Sequence, residues 1–150
     1  MKLSDHFSLA EAGKSQTAVR RGIDNRPPEH LHGNLKATAR HILEPIRKWY
    51  GKPFSPNSWY RGPELNEAIG GAKKSQHMTG EAVDIELPGV PNIELARWIK
   101  ANLEFDQLIL EFWNSEDPSA GWVHVSYRHL GNRNEVLTIG KNLKTHGLPE

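Results

Sequence analysis

The spacing of one histidine and one aspartate limits the fold of this chain more than any other feature. His77 and Asp84 lie in residues 75–84, Ser-Gln-His-Met-Thr-Gly-Glu-Ala-Val-Asp, with six residues between them. Direct neighbours on one helix face lie three or four residues apart, so a helix would not bring this pair into contact. Gly80 predicts a turn between them, and residues 82–87 have the mixed apolar and acidic character of a strand. The turn would bring His77 back over Asp84.

A third metal ligand is available in another short stretch that favours a strand. His124 lies in residues 122–127, Trp-Val-His-Val-Ser-Tyr, where β-branched and aromatic residues dominate. An imidazole between apolar strand positions needs a polar partner. For any one of the eight histidines, the alternative is a surface residue or a satisfied core residue. Taken together, His77, Asp84 and His124 with one open position describe a catalytic zinc site.

The composition excludes several other kinds of site. The 150 residues, 37% of them hydrophobic and five of them Trp, suffice for the core of one domain spanning 1–150. There is no Cys, so a metal must be held by His and carboxylates. Gly70-Gly71 lacks the spacing and the Lys-Ser/Thr of a phosphate-binding loop, and no serine lies in a Gly-x-Ser-x-Gly elbow.

Charge and hydropathy indicate where the protein acts and with what. The net charge is +1, from 19 basic and 18 acidic side chains, so no broad field attracts nucleic acid or an anionic membrane. Residues 1–6 are not followed by the apolar run of a secretory signal. No stretch reaches the ~18 consecutive apolar residues of a membrane-spanning helix. We therefore expect a cytoplasmic monomer without membrane insertion or a nucleic acid partner.

Periodicity and turn residues predict an α+β fold, in which a small antiparallel sheet is backed by helices. The strongest helical pattern covers residues 31–50, where Pro45 should kink or divide the helix and Gly51 should end it. The other predicted helices are two capped turns within 4–22, started by Ser8 and by Ser15 or Thr17, and helices at 62–69 and 93–102. The predicted strands are 54–60, 82–87, 107–112, 122–127 and 135–139, with 107–112 and 122–127 as a hairpin. Residues 1–30 are expected to be an N-terminal packing segment and residues 140–150 a loose tail.

Two further residues are candidates for catalysis and substrate binding. Alternation along strand 107–112 allows Glu111 to point to the same side as His124, where a carboxylate can take a proton from an attacking water. The alternative is an edge-strand carboxylate that faces solvent. Arg61 follows a predicted strand and precedes a Gly-Pro turn, and its fork of donors suits a substrate carboxylate. The alternative is an ordinary surface arginine.

These motifs together resemble the zinc D-Ala-D-Ala carboxypeptidase family of murein peptidases. The family pattern Ser-x-His-x-x-Gly-x-Ala-x-Asp is met by Ser75, His77, Gly80, Ala82 and Asp84. His124 in Trp-Val-His matches the third zinc ligand, and residues 58–61 match the family's Ser-x-Tyr-Arg segment. The family includes phage endolysins and vancomycin-resistance D-Ala-D-Ala dipeptidases, and the Hedgehog signalling domain shares its fold. The resemblance covers residues 35–130 well.

The resemblance implies a Hedgehog/DD-peptidase-like fold and one zinc ion held by His77, Asp84 and His124. It also implies that Arg61 and Ser75 bind substrate and that a peptide bond in peptidoglycan stem peptides is hydrolysed. The lack of a signal favours a phage lysis enzyme, which waits in the cytoplasm and reaches the cell wall after release. Relatives cleave D-Ala-D-Ala, a D-Ala cross-link or L-Ala-D-Glu, and a carboxylate held by Arg61 favours carboxypeptidase action.

One position departs from the family pattern. Many members carry Glu or Asp three residues before the last histidine, and Gly121 stands there in this chain. The general base must then come from elsewhere, with Glu111 as the first candidate and Glu116 or Asp117 behind it. Two alternatives to an enzyme remain. One is a non-catalytic zinc-containing module that binds cell wall or a protein, and the other is a structural phage protein with a vestigial metal site.

Overall fold

A computed structural model describes residues 1–117 and 119–150 and shows a five-stranded sheet backed by helices. The predicted α+β class is confirmed. The helices are α1 (Leu9–Ala12), α2 (Gln16–Arg21), α3 (His32–Thr38), α4 (Glu44–Tyr50), α5 (Pro63–Ala68) and α6 (Asn92–Asn102). The strands are β1 (Ala82–Ile85), β2 (Gln107–Glu111), β3 (Trp122–Ser126), β4 (Glu135–Gly140) and β5 (Leu143–His146). In the part of the chain that is described, no helix combines the length and the apolar character needed to cross a membrane.

The strands follow the order β1-β3-β2-β4-β5 across the sheet. β2 and β3 form the predicted antiparallel hairpin, and β3 also pairs antiparallel with β1. β4 pairs antiparallel with β5 but parallel with β2, which is a departure from the purely antiparallel sheet expected. β1 occupies the second edge of β3, so β4 adds to the free edge of β2. β3 ends beside the start of β2, where Asp106 N donates to Ser126 O, and β4 begins at that same end, where Glu135 N donates to Asp106 O, so β4 runs parallel to β2.

Alternation in the inner strands gives the sheet two different faces. Four residues of the hairpin are completely buried against the helices: Leu108, Leu110, Val123 and Val125. Buried side chains of the long helical segment and of α6, among them Leu35, Ile42, Leu95 and Ile99, cover this face. Successive side chains of a strand point to opposite faces, so Glu111 and His124 lie on the other one.

Residues 29–50 form one helical segment that changes its winding in the middle. A π-helical turn, Ala39–Leu43, connects α3 to α4, and the Glu44 N–H donates to the Ala39 carbonyl five residues earlier. Pro45 follows directly, in the first turn of α4. The predicted division of the helix is therefore present as a π-turn beside Pro45, and the segment continues through it.

Both short N-terminal helices begin at capping serines. The Ser8 side chain accepts from the Glu11 N–H, and the Glu11 carboxylate accepts from the Ser8 N–H in return. α2 is capped by Ser15 rather than Thr17. Leu3 and Phe7 are each 1% exposed, so residues from this part of the chain complete the core.

The strand predicted at 54–60 is wrong. Only Ser58 forms a bridge there, with Asp84, and Asn57 N donates to Asp84 O at 2.8 Å. Pro56 lacks a backbone donor, so the segment cannot form a continuous ladder along the outer edge of β1. It still anchors the backbone of Asp84, because Asp84 N donates to Ser58 O at 2.8 Å.

The C-terminal residues are held more firmly than expected. Instead of a loose tail, residues 140–150 contain β5, which pairs along β4. The Thr138 hydroxyl also donates to the Gly147 carbonyl at 2.7 Å. All four side chains of β5 are exposed, so the strand carries no hydrophobic pattern that would have predicted it.

Candidate metal and catalytic site

The structure brings the three predicted metal ligands together. One ligand atom from each of His77, Asp84 and His124 lies within 4.8 Å of the other two. Asp84 Oδ1 is 3.2 Å from His77 Nε2 and 3.0 Å from His124 Nδ1. Asp84 in β1 and His124 in β3 are directly opposite each other, and His77 lies on the 3₁₀ turn Gln76–Thr79 that precedes β1.

The turn that carries His77 is fixed at both ends. Ser75 caps its start, where the Ser75 hydroxyl accepts from the His77 N–H at 3.2 Å. Gly80 ends it with φ +75°, and a Cβ at Gly80 would lie 2.7 Å from a methyl carbon of Leu35. The Thr38 hydroxyl donates to the Gly80 carbonyl at 2.9 Å. Glycine is therefore required here both for the left-handed backbone and for the close approach to α3.

A backbone carbonyl sets the orientation of the His77 ring. His77 Nδ1 is 2.7 Å from the Trp59 carbonyl oxygen. Because a carbonyl only accepts hydrogen bonds, Nδ1 carries the proton and Nε2 presents a lone pair to Asp84 and His124. The side chain is 1% exposed, and this burial lowers the pKa of His77. The neutral ring, which is the form that binds metals, is thus favoured at neutral pH.

Asp84 supplies a charged oxygen to the cluster. Burial by itself raises the pKa of Asp84, but the interactions with the neighbouring His124 and His77 rings outweigh it and lower the pKa below its usual range. Two imidazole nitrogens and one carboxylate oxygen form a donor set that zinc accepts. Among the described residues the group contains these three ligands, as in catalytic sites that keep a position open for substrate or water.

Glu111 lies beside this cluster on an inner strand. Ile109 is opposite His124, and Glu111 is opposite Trp122, so Glu111 shares the sheet face of His124. Burial raises the pKa of Glu111, while the charge of His124 acts against that shift. The edge-strand alternative does not hold, since β2 lies between β3 and β4. A half-buried carboxyl with a raised pKa is suited to exchanging protons near neutral pH.

Arg61 is also directed at the site rather than at bulk solvent. Its backbone N–H donates to the His77 carbonyl at 3.0 Å, and its Nη2 is 3.4 Å from Ser75 Oγ. Burial lowers the pKa of Arg61, and the charges of Asp84 and Glu111 oppose that change. Its Nε is buried and has no hydrogen-bond partner within residues 1–117 and 119–150. The terminal nitrogens of a half-buried guanidinium can donate to a substrate carboxylate.

Gly121 occupies its position for a structural reason. Its φ is +75°, and a Cβ there would lie 1.8 Å from the Glu111 carbonyl oxygen and 2.7 Å from the Phe112 carbonyl carbon. No acidic side chain fits unless the end of β2 moves. The other proposed bases, Glu116 and Asp117, are exposed on the loop after β2. The Asp117 carboxylate accepts a hydrogen bond from the Ser119 hydroxyl there.

Gly121→Ala should therefore destabilise the protein strongly and reduce any activity that depends on Glu111. We expect a loss of about 3 kcal/mol in the free energy of unfolding, because left-handed strain and overpacking add. Gly51→Ala is the matched control, since Gly51 has the same φ of +75° with no atom within 4 Å of the added Cβ. Urea unfolding measures both variants, and equal losses would contradict the steric account.

Two supporting contacts lie outside what the sequence motifs indicate. The Trp59 carbonyl that orients His77 has no side-chain signature, so no motif could have revealed it. Asp106 is completely buried, and its carboxylate accepts from Gln76 Nε2 at 2.9 Å and from Arg133 Nη2 at 2.9 Å. It ties the residue before His77 to the segment that leads into β4. The sequence signal that could have revealed Asp106 is an acidic residue directly before an apolar strand.

Comparison with known sequences places the chain in a family. A search of curated proteins finds no match. The sequence model of one family, described as peptidase M15, matches residues 5–126, which include β1, β2 and β3 with all three clustered ligands. This match covers most of the chain and confirms the resemblance seen in residues 75–84. The chain therefore belongs to the peptidase M15 family of metallopeptidases, which act on peptidoglycan.

Proposed function

We propose that the protein is a zinc-dependent peptidase that hydrolyses a peptide bond in peptidoglycan stem peptides, and that it serves in phage lysis. The observation that supports this most directly is the cluster of His77, Asp84 and His124, whose ligand atoms lie within 4.8 Å of one another. Glu111 on the same sheet face adds a proton acceptor, and Arg61 adds a cation. Ligands, base and anion-binding group are the parts that metal-assisted peptide hydrolysis needs.

Each side chain has a separate task in the proposed reaction. When bound, zinc supplies Lewis-acid chemistry, which polarises a carbonyl and makes a water molecule more acidic. Glu111 accepts the proton that this water loses as its oxygen bonds to the peptide carbonyl carbon. Glu111 then gives the proton to the amide nitrogen as the carbon–nitrogen bond breaks, so the amine leaves neutral. Arg61, with Ser75 beside it, holds a substrate carboxylate and orients the scissile bond.

Mass spectrometry of defined muropeptides tests the proposal and identifies the bond. The zinc-loaded protein, a chelated sample and a chelated sample with zinc restored are incubated with the same muropeptides. Loss of one alanine indicates a carboxypeptidase, opening of a cross-link indicates an endopeptidase, and release of the stem indicates cleavage nearer the sugar. Products that appear equally in the chelated sample would contradict a metal-dependent reaction.

A non-catalytic module is the second candidate, and Gly121 is the observation that favours it. The acid that many family members carry at this position is missing, and Glu111 would have to replace it. A module of this kind would contain zinc and bind cell wall or a protein partner, but it would not hydrolyse a substrate. One zinc per chain with no chelator-sensitive product would support it. No zinc at all would instead indicate a vestigial site.

Arg61→Gln should weaken the binding of substrates that end in a free carboxylate. We expect KM to rise about 10- to 100-fold, because one or two charge-assisted hydrogen bonds are lost from a half-buried site. The same peptide with an amidated terminus should show equal KM with the unaltered protein and with the variant. Arg21→Gln, at an exposed position on α2, is the control. Equal losses on both peptides would assign Arg61 to folding or to another part of the substrate.

A further inference from the structure

The backbone at Phe112, directly after Glu111, adopts a conformation that phenylalanine disfavours. Its φ is +53°, whereas the other non-glycine residues with positive φ in the described ranges are Asn134 and Asn142. Asparagine tolerates the left-handed region, but a bulky side chain there is strained. Such strain persists only where the surroundings enforce it, and it concentrates at functional sites.

The strained backbone redirects the Phe112 side chain. In a regular strand Phe112 would follow Glu111 on the opposite face, on the side of Leu110. Its ring instead lies 5.5 Å from the ring of Trp122, the residue directly opposite Glu111. The Phe112 N–H donates to the Ile139 carbonyl of β4 at 2.7 Å. On the other side, Gly121 lets the chain before β3 approach the backbone of Glu111 and Phe112 closely. The positive φ directly after β2 thus directs the Phe112 ring to the side of Trp122, which shares the sheet face of Glu111 and His124.

Burial does not account for this arrangement. Phe112 is 46% exposed, so much of the apolar surface that could offset the strain remains in water. A strained residue with a half-exposed ring is a poor choice for stability alone, and asparagine or glycine would fit the backbone better.

We propose that Phe112 and Trp122 form an aromatic wall that contacts aliphatic C–H groups of the substrate beside the scissile bond. This inference rests on the proposed peptidase function, since Phe112 follows Glu111 directly and Trp122 lies on the same sheet face as Glu111 and His124. Ligand sites combine aromatic surfaces with a few polar groups, and here Glu111 and Arg61 are the polar groups. In peptidoglycan the C–H groups belong either to the stem peptide or to a sugar ring.

Phe112→Asn separates this role from a structural one. The melting temperature should stay equal or rise, because asparagine adopts positive φ more readily. KM should rise about tenfold with little change in kcat, because the contact of half a phenyl surface with substrate is lost. Phe112→Tyr keeps the ring and should keep KM. Leu143→Asn, which removes a 54% exposed apolar side chain from β5, is the matched control and should change neither value. Phe112→Gly is a second variant with the same expectation.

Two substrates distinguish the source of the C–H groups. A rise in KM on both a sugar-free stem peptide and a disaccharide muropeptide indicates contact with the peptide, and a rise on the muropeptide alone indicates contact with the sugar. An unchanged KM of Phe112→Asn on both substrates would overturn the proposed contact between the aromatic wall and the substrate. If the unaltered protein turns over neither, the peptidase function fails, and calorimetry of muropeptide binding tests the wall separately. Weaker binding by Phe112→Asn would still support it, whereas equal binding or no binding by either protein would overturn it.

Discussion

Glu111→Gln is expected to lower kcat for peptide hydrolysis by about 10²- to 10⁴-fold, which is the range that a positioned general base contributes. Glutamine has the shape of glutamate but cannot accept and return a proton near neutral pH. Glu111 is not one of the clustered ligands, so the variant should bind zinc with unchanged stoichiometry. The measurements are steady-state hydrolysis of a defined stem peptide and metal analysis of the same sample.

Two loop carboxylates provide the controls for Glu111. Glu116→Gln and Asp117→Asn remove exposed acids that follow β2, and both variants should retain full activity. Full activity in Glu111→Gln would eliminate Glu111 as the base. A loss confined to Glu116→Gln or Asp117→Asn would assign the role of base to that loop carboxylate instead.

Asp84→Asn should remove most of the zinc affinity and, with it, the activity. Asparagine keeps the size of the side chain but loses the negative charge and the strong oxygen ligand. We expect the dissociation constant for zinc to increase by more than about 100-fold, since even partners that only orient ligands contribute 10- to 100-fold. Zinc titration monitored by calorimetry measures the change directly.

Thermal unfolding gives an independent measure of the same prediction. Zinc at 100 times its dissociation constant should stabilise the unaltered protein by about 2.7 kcal/mol, and this gain should disappear in Asp84→Asn. His30→Ala, which removes an exposed histidine from the 3₁₀ turn before α3, should keep the zinc-dependent gain. Undiminished zinc affinity in Asp84→Asn would remove Asp84 from the ligand set.

The parts of the site that depend on local pattern could be predicted from the sequence. The distance between His77 and Asp84 along the chain requires a turn before a strand, and Gly80 marks that turn. Strand alternation has a period of two, so the face shared by Glu111 and His124 follows once the hairpin is recognised. Such features need only neighbouring residues and one pairing.

The remaining features depend on partners that are distant in the sequence. The pairing of β4 with β2 depends on β1 occupying the other edge of β3, which no local pattern contains. The orientation of His77 depends on the carbonyl of Trp59, and every residue type has a carbonyl. The outward position of the half-exposed Phe112 ring depends on a positive φ, which no pattern of residue types predicts for phenylalanine.

The antiparallel pairing of β1 with β3 has a consequence for how a bound metal affects the sheet. β1 has only four residues and lies at the edge, with a single bridge to Ser58 on its other side. A slip of one residue against β3 would point His124 away from Asp84. A metal shared by Asp84 and His124 would act as a cross-link that permits only the observed register. Amide hydrogens of β1 should therefore exchange with solvent more slowly in the metal-loaded protein than in the metal-free protein.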